Sequence, residues 1–323
     1  MKKILSFVLA LVMILSLSTV VFADEPAAEA PATLKSEAGT SEVTLEKNYT
    51  VTGATGENLY PAETLEFVVG VPGGSGNPND AMISVKPLEV EGNKDQVISI
   101  ELPEYDSVGV YSYSIQEKAG KTQGVGYDET TIFVDVLVTY NYKEGKLDAE
   151  LFLTTPDGND GKIDSFTNTY DVGSLTVSKV VTGNLGDREK KFDVTVTFEA
   201  KGDVLSDITY EGGKVAPKAW KDGKAVVEIS LAHNESVTFE NIPAGVTYTV
   251  VEDDYTADGY TAEYKNSDEE LTIAKSDKDT VEITNNKETA VATGISLDSM
   301  PYIMILAVVA GAFVLTSFKK REV

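Results

Sequence analysis

The sequence predicts an all-β protein built from two β-sandwich modules in tandem. Segments such as TLEFVVG and GVYSYSIQE alternate apolar and polar residues, or are rich in β-branched ones, and clusters of turn residues separate them. No segment before the C-terminal tail shows a convincing helical period over two turns. At 323 residues, of which 42% are hydrophobic, the chain has room for two ordinary domains and their cores.

Apolar segments lie at both ends of the chain. Residues 1–23 are typical of a secretory signal peptide, with Lys2 and Lys3 before an apolar run and a small-residue cleavage site at Ala23. Residues 302–318 carry no charge and are followed by a basic tail, in agreement with the positive-inside rule. Their length is at the lower limit for a transmembrane helix. These features predict an exported protein that is held at its C-terminal end.

The region between the two ends divides into a linker and two modules. Residues 24–40 are rich in Pro, Ala and Glu without a hydrophobic period, which predicts a disordered linker. The first module is predicted at residues 41–171 and the second at 172–288, where strands such as KKFDVTVTFEA, AVVEISLA and DTVEITN continue the pattern. Residues 165–183 close one module and open the next. We interpret them as two strands around a short turn at residues 171–173.

A set of three polar residues occurs twice in the same order. VTLEK matches LTVSK, YSIQE matches YTVVE, and FTN matches ITN. The polar members of these segments are Lys47, Glu117 and Asn168 in the first copy, and Lys179, Glu252 and Asn285 in the second. Side chains two residues apart share one face of a strand, so each polar side chain points the way its apolar neighbours point. Buried polar groups are costly unless they are paired, so each is expected to have a partner nearby.

A buried Lys, Glu and Asn in contact have a specific chemistry. Desolvation lowers the pKa of the Lys and raises the pKa of the Glu. The neutral amine is then a nucleophile toward the Asn side-chain amide, and a protonated Glu polarises that amide and moves protons to the leaving ammonia. The product is a Lys–Asn isopeptide bond, formed once by each module on itself. The alternative is a buried hydrogen-bonded triad without a covalent bond, but the repetition favours the covalent interpretation.

The composition excludes several classes of function. Without cysteine there is no disulfide, thiol nucleophile or thiolate metal site. The single histidine, His233, lies in the polar turn AHNES, which predicts a surface loop rather than a Ser-His-Asp triad. Residues 70–80 lack the order of a phosphate-binding loop, and residues 156–164 lack calcium-loop spacing. We therefore predict no cofactor and no metal. A net charge of −25 disfavours nucleic acid and anionic lipid as partners.

The ordered set of motifs resembles the isopeptide-containing pilins and surface proteins of Gram-positive bacteria. The first module resembles the FctA-type pilin domain through the Lys47 strand, GVYSYSIQE, YDETTIFVDVLV and SFTNTY. The second resembles pilin C-terminal and Cna-B-like domains through SKVVTGN, IPAGVTYTVVED and VEITNN. The resemblance implies Ig-like or Cna-B-like sandwiches and the bonds Lys47–Asn168 and Lys179–Asn285. It also implies that Glu117 and Glu252 are the catalytic acids.

Residues 289–323 resemble a cell-wall sorting signal. The motif corresponds to Val291, Ala292, Thr293 and Gly294, which implies sortase cleavage between Thr293 and Gly294. Ala292 stands where the family motif has proline. The alternative is a plain single-span anchor. In the resembled pilins the acceptor lysine precedes the closing Asn strand, and Lys162 in GNDGKID matches that place. A solvated surface lysine is the alternative for Lys162.

These observations predict a structural surface protein, a sortase-linked pilus shaft subunit, rather than an enzyme with turnover. The implied partners are sortase and either a peptidoglycan precursor or neighbouring pilin subunits, and the membrane is contacted only through the C-terminal span. The implied location is the wall or a pilus of a Gram-positive cell. The alternative is a wall-anchored adhesin or minor pilin that binds a host or neighbouring-cell ligand. A hydrolase would need paired carboxylates at glycosidase spacing, which the sequence does not reveal.

Overall fold

The structure is a computed structural model that describes residues 34–56, 59–71, 81–90, 96–154, 162–266 and 271–289. These residues form nineteen β-strands and two short 3₁₀ turns, at Pro217–Ala219 and Thr256–Asp258, and contain no α-helix. The all-β prediction is confirmed. None of the described residues belongs to a helix that is long and apolar enough to cross a membrane. The predicted signal peptide and residues 302–318 lie outside the described residues.

The strands are unequal in length, and one of them is much longer than the rest. In chain order they are β1 (Gly39–Thr52), β2 (Thr64–Gly70), β3 (Ser84–Val85), β4 (Leu88–Glu89), β5 (Gln96–Leu102), β6 (Gly109–Lys118), β7 (Val125–Gly126), β8 (Thr131–Asn141), β9 (Lys146–Thr154), β10 (Ser165–Thr182), β11 (Phe192–Glu199), β12 (Ile208–Tyr210), β13 (Gly213–Val215), β14 (Lys224–Leu231), β15 (Ser236–Pro243), β16 (Thr247–Glu252), β17 (Thr261–Lys265), β18 (Leu271–Thr272) and β19 (Lys278–Asn286). The sequence pattern missed β3, β4, β7, β12 and β13, because strands of two or three residues show no period.

The first module packs two sheets face to face. One sheet has the order β4-β2-β6-β8-β9. The other contains β3, β5, β1, β7 and the first part of β10, which pairs parallel with β1. Inward-facing residues of both sheets form one core, including Leu45, Ile98, Tyr113, Val134 and Phe166. The alternating burial along β8 and β6 follows from the two-residue period of a strand, because one face meets the other sheet.

The second module repeats this plan. Its smaller sheet has the order β14-β11-β16-β18, and it faces a sheet made of β13, β12, β15, the second part of β10, β19 and β17. Here β10 pairs parallel with β19, as it pairs parallel with β1 in the first module. The core includes Leu175, Val196, Phe239 and Ile283. In each module the first and last long strands are therefore parallel neighbours.

β10 is one continuous strand of 18 residues that belongs to both modules. The predicted turn at residues 171–173 is wrong. Up to Val172 the even-numbered side chains of β10 are buried, and from Gly173 the odd-numbered ones are. The buried set of side chains therefore shifts by one residue along β10, although the strand continues without a turn. Gly173 allows this because a Cβ there would lie 2.7 Å from Ile273 Cγ2 and 3.0 Å from the carbonyl oxygen of Ala274. The glycine serves close packing rather than chain reversal.

Two amide side chains fasten the modules to each other beside β10. Gln123 of the first module donates from Nε2 to the carbonyl oxygen of Ala244 at 2.6 Å, and its Oε1 accepts from the backbone N–H of Gly202 at 3.0 Å. Asn241 of the second module is buried, and its Oδ1 accepts from the N–H of Thr55 at 2.9 Å. These hydrogen bonds run in both directions across the junction, which fixes one module against the other.

The structure corrects the end of the linker predicted at residues 24–40. Ser36 is buried, its backbone N–H donates to the carbonyl oxygen of Tyr105 at 2.7 Å, and its Oγ accepts from the Tyr105 N–H at 2.8 Å. β1 begins at Gly39, before the predicted boundary. Composition alone could not show this, because residues 34–40 are ordered by backbone pairing with distant strands. Residues 24–33 lie outside the described residues.

Candidate functional site

In the first module the strand that carries Lys47 and the strand that carries Asn168 are neighbours, and Glu117 comes from the facing sheet. On the parallel pair β1 and β10, Lys47 lies opposite Phe166, and Asn168 lies opposite Tyr49. Asn168 is therefore two residues beyond the partner of Lys47, on the same face. Glu117 is near the end of β6 in the facing sheet and points into the core. The three residues meet between the sheets, where their side chains are buried.

The Glu117 carboxylate lies between the two nitrogen atoms. Its Oε2 is 2.6 Å from Lys47 Nζ, and its Oε1 accepts from Asn168 Nδ2 at 2.6 Å. The side chains of Lys47 and Glu117 expose 0% of their surface. The contact between Lys47 Nζ and Glu117 Oε2 is close but does not have hydrogen-bond geometry. The contact between Asn168 Nδ2 and Glu117 Oε1 is a hydrogen bond. One carboxylate therefore touches both the amine and the amide nitrogen.

Burial favours the neutral forms of this pair. Desolvation is the largest influence on both groups, and it lowers the pKa of Lys47 and raises the pKa of Glu117. The mutual contact of the two groups acts in the opposite direction but is the weaker influence. Transfer of a proton from the ammonium to the carboxylate therefore costs less free energy in this site than in water.

The oxygen of the Asn168 amide has a partner that the sequence did not reveal. Its Oδ1 accepts from the backbone N–H of Asp128 at 2.9 Å. The Asp128 carboxylate is itself held by two backbone N–H groups, those of Thr130 at 2.8 Å and Thr167 at 2.6 Å. Burial opposes ionisation of Asp128, but these hydrogen bonds outweigh it and lower the pKa of the carboxyl. Residues 127–130 carry no period that marks this role.

A second carboxylate, Glu63, fixes the surroundings of the first site. It accepts hydrogen bonds from Tyr127 at 2.6 Å, from Thr122 Oγ1 at 2.7 Å, and from Tyr49. The Tyr49 ring centroid is 5.2 Å from Lys47 Nζ. Burial, with the contact to Glu63, raises the pKa of Tyr127 to about 12. Through Tyr127 and Tyr49, Glu63 thus connects residues 127–130, the Asp128 loop, to β1, the strand that carries Lys47.

The second site repeats the placement of the residues but not all of their contacts. Lys179 lies opposite Ile283, and Asn285 is two residues beyond on β19, the same offset as in the first module. Glu252 Oε1 is 2.6 Å from Lys179 Nζ, and burial lowers the pKa of Lys179. The Asn285 amide is buried, and among the described residues it has no hydrogen-bond partner. Asn285 and Glu252 line a cavity of about 230 Å³ with Tyr255, Tyr260 and Tyr264.

The remaining predicted site residues lie apart from these two sites. Lys162 is exposed and precedes β10 by three residues. Val291, Ala292, Thr293 and Gly294 lie outside the described residues. His233 lies in a turn as predicted but is half-buried, because its Nδ1 accepts from the backbone N–H of Val181 at 3.0 Å. In the part of the chain that the structure describes, no group of three or more His, Cys, Asp or Glu residues could hold a metal ion.

Comparison with known proteins matches both halves of the chain. Residues 33–171 match the family described as the Spy0128-like isopeptide containing domain, FctA, and residues 173–287 match a domain of unknown function, DUF7601. A pilin of Streptococcus pyogenes serotype M1 is 33% identical over 237 residues, which are 68% of this chain and 69% of that protein.

Two solved pilin structures are similar over most of the chain. The major pilin T-13 of Streptococcus pyogenes serotype GAS131465 has a TM-score of 0.51 at 21% identity, and the match covers 79% of this chain and all of that one. The major pilin of Streptococcus pyogenes has a TM-score of 0.49 at 23% identity and covers 78% of this chain and 99% of that one. The T-13 match supports a pilin-like fold.

The fold and the sequence matches together define a cell-surface protein of the isopeptide-domain class, with two buried Lys, Glu and Asn sets. The identity to the curated pilin, over more than two thirds of both proteins, assigns it further: the chain belongs to the pilin family.

Proposed function

We propose that this chain is a pilus shaft subunit that closes one Lys–Asn isopeptide bond in each module and is joined to its neighbours by sortase. The observation that carries the proposal is the placement of Glu117, with one oxygen at the Lys47 amine and the other at the Asn168 amide nitrogen. One carboxylate can therefore exchange protons with both nitrogen atoms, as formation of the bond requires. The pilin family supplies the assembly context.

The reaction balances with Glu117 as the proton carrier. The Lys47 ammonium first gives a proton to Oε2, and the neutral Nζ attacks Asn168 Cγ. A C–N bond forms as the C=O electron pair moves to Oδ1. The carboxyl group then transfers its proton to Nδ2, and the carboxylate that remains takes a proton from the positively charged Nζ. Collapse of the intermediate breaks the Cγ–Nδ2 bond and releases ammonia. This exchange needs a carboxylate within about 3 Å of both nitrogens, and both distances here are 2.6 Å.

The second bond is proposed by the same logic, with Lys179 as nucleophile, Asn285 as the amide and Glu252 as the acid. The support is the shared register offset and the Lys179–Glu252 contact of 2.6 Å in a buried site. The cavity beside Asn285 offers a route by which ammonia leaves. The Cna-B-like character of this module stays a prediction.

For assembly, we propose that sortase cleaves between Thr293 and Gly294 and joins Thr293 to Lys162 of the next subunit or to a peptidoglycan precursor. Lys162 is exposed, as an acceptor must be. We expect a polymeric ladder in gels of cell-wall extracts that is lost in Lys162→Arg but kept in Lys143→Arg, a control at another exposed lysine of the first module. A single wall-linked species would instead favour the adhesin.

The covalent step is tested by the intact mass of residues 24–288 produced as a soluble protein. We expect a mass two ammonia molecules below the sequence value. In Glu117→Ala only one ammonia is lost, and in Glu117→Ala with Glu252→Ala none. Lys118→Ala, next to Glu117 but exposed, serves as the control and loses both. A wild-type mass equal to the sequence value would reduce both sets to buried polar clusters and refute the proposal.

A further inference from the structure

The Asn168 amide is held at both of its ends, by different groups. Glu117 Oε1 accepts from the nitrogen at 2.6 Å, and the backbone N–H of Asp128 donates to the oxygen at 2.9 Å. Glu117 therefore contacts the two nitrogen atoms, Lys47 Nζ and Asn168 Nδ2, but not the amide oxygen. The hydrogen bond to the oxygen comes from the backbone of Asp128.

The oxygen is where negative charge develops when an amine adds to an amide. A donor that already points at this atom stabilises the tetrahedral intermediate without reorganisation, and its effect is large in a site from which water is excluded. The useful range for such a donor is about 2.7–3.1 Å from the oxyanion position. The Asp128 nitrogen lies 2.9 Å from Oδ1 of the unreacted amide, the atom that becomes the oxyanion, and the site is buried.

We propose that the backbone N–H of Asp128 is the oxyanion donor for formation of the Lys47–Asn168 bond, and that the Asp128 carboxylate is the positioning group that aims it. This inference rests on the proposed function, because it concerns a step of the same reaction. It adds the Asp128 loop, residues 127–130, to the three residues Lys47, Glu117 and Asn168 as part of the reacting site.

The positioning role follows from how the loop is tied. One oxygen of the Asp128 carboxylate accepts from the N–H of Thr167, the residue that precedes Asn168 on β10. The other accepts from Thr130, two residues beyond Asp128. The donor N–H and the amide that it serves are thus fixed to the same point of β10. Tyr127, one residue before, is anchored separately by Glu63.

The second module provides a contrast within the same chain. The Asn285 amide has no hydrogen-bond partner among the described residues, so no backbone donor takes the place of Asp128 there. A perturbation of the Asp128 N–H is therefore expected to act on one bond only. The second bond is an internal control for folding, expression and handling of the same molecules.

The sharpest test replaces the N–H itself. The full chain is made in a cell-free system with detergent, and the α-hydroxy analogue of aspartate is inserted at position 128, so that an ester oxygen replaces the N–H and the side chain is kept. Samples are denatured in acid at intervals, and peptide masses give the ammonia lost at each site. We expect the first bond to form about 10²–10³-fold more slowly, with the second unchanged. The same ester at position 129 is the control.

Side-chain variants test the positioning role. Asp128→Ala keeps the N–H but loses both anchors, and we expect the first bond to form at least about tenfold more slowly. Asp128→Asn keeps one acceptor oxygen and is expected to restore part of the rate, which a general loss of stability would not do. Protease resistance of the first module shows whether each variant folds.

The outcomes separate this inference from the proposed function. If wild type loses both ammonia molecules and the position-128 ester reacts as fast as wild type, or no slower than the position-129 ester, the donor role is refuted and the bond stands. If Asp128→Asn is as slow as Asp128→Ala, the positioning role is refuted. If wild type loses no ammonia at the first site, the proposed function and this inference fail together.

Discussion

Removal of Asn285 isolates the contribution of a cross-link to stability. Asn285→Ala would prevent the proposed second bond but leaves the Lys179–Glu252 contact in place. Because the Asn285 amide has no hydrogen-bond partner among the described residues, its loss leaves no other polar group unpaired. The main change is that the unfolded chain is no longer closed into a loop of about 105 residues, which is worth about 5 kcal/mol by analogy with a disulfide.

Asn168→Ala is the matched variant in the first module. It opens a loop of about 120 residues, and the slow logarithmic dependence on loop length makes the entropic loss nearly the same. In addition, it leaves the N–H of Asp128 without its acceptor, Asn168 Oδ1, which is retained when the bond forms. Unpaired buried groups cost about 1–3 kcal/mol. We therefore expect Asn168→Ala to be the more destabilising of the two by that amount.

The single tryptophan makes the assay specific to a module. Trp220 packs against the core of the second module, so its fluorescence in a guanidinium titration follows that module. Far-UV circular dichroism follows both. Asn285→Ala should lower the midpoint of the fluorescence transition and raise its slope, since the open chain exposes more surface on unfolding. A fluorescence transition that coincides with wild type would refute the cross-link argument, and a greater loss of stability in Asn285→Ala than in Asn168→Ala would refute the comparison of contacts.

Three further predictions concern titration, packing and the junction. In Asn168→Ala, Lys47 remains an amine whose pKa is lowered by burial, so at alkaline pH the unfolded state binds more protons than the folded state. The melting temperature should therefore rise as the pH rises toward the pKa of a free lysine, about 10.4. A wild type with an acylated Lys47 lacks this rise, and equal slopes would contradict the bond. Gly173→Val should cost about 1–3 kcal/mol in thermal unfolding, because its side chain meets Ile273. Gly39→Val, with nothing within 4 Å of its Cβ and no positive φ, should cost less. Gln123→Ala removes the hydrogen bonds to Ala244 and Gly202, so small-angle scattering should show a wider range of inter-module orientations. Gln116→Ala, at an exposed glutamine, is the control. An unchanged distribution of orientations would show that Gln123 does not hold the two modules rigidly together.

The six polar residues could be recognised from the sequence because the period of a strand is short and regular. Lys47 stands two residues from Leu45, and Glu117 two residues from Ile115, so burial of the neighbours implies burial of the polar group. All six side chains are buried in the structure. Which Lys, Glu and Asn contact each other depends on the arrangement of the strands. The strand period does not reveal this, and only the repeated order of the motifs predicted it.

The rest depended on contacts between distant segments. The Asp128 N–H has no signature in the sequence, because every residue except proline has the same donor. The Asp-Val-Gly segment before Ser174 has the composition of a turn, yet Gly173 is required by the approach of residues 273–277 from the far end of the second module. The burial of Ser36 depends on Tyr105. Local propensity is a weak guide where such long-range packing decides the conformation.

The continuity of β10 determines how a pilus of such subunits would carry tension. If Lys162 is the acceptor and the proposed bonds form, force would enter three residues before β10 and pass along this strand to Lys179. It would then cross the Lys179–Asn285 bond and leave toward Thr293. The loop between Lys179 and Asn285 is then outside the line of force, and so is the whole first module, with its own bond. On this reasoning the two proposed bonds would differ in role: the second would bear load, and the first would stabilise the module in which Asp128 is hydrogen-bonded to β10. Under a force applied between Lys162 and the C-terminus, Asn285→Ala should therefore extend by the length of the released loop, whereas Asn168→Ala should not. Equal extension of both variants would show that load enters the first module elsewhere.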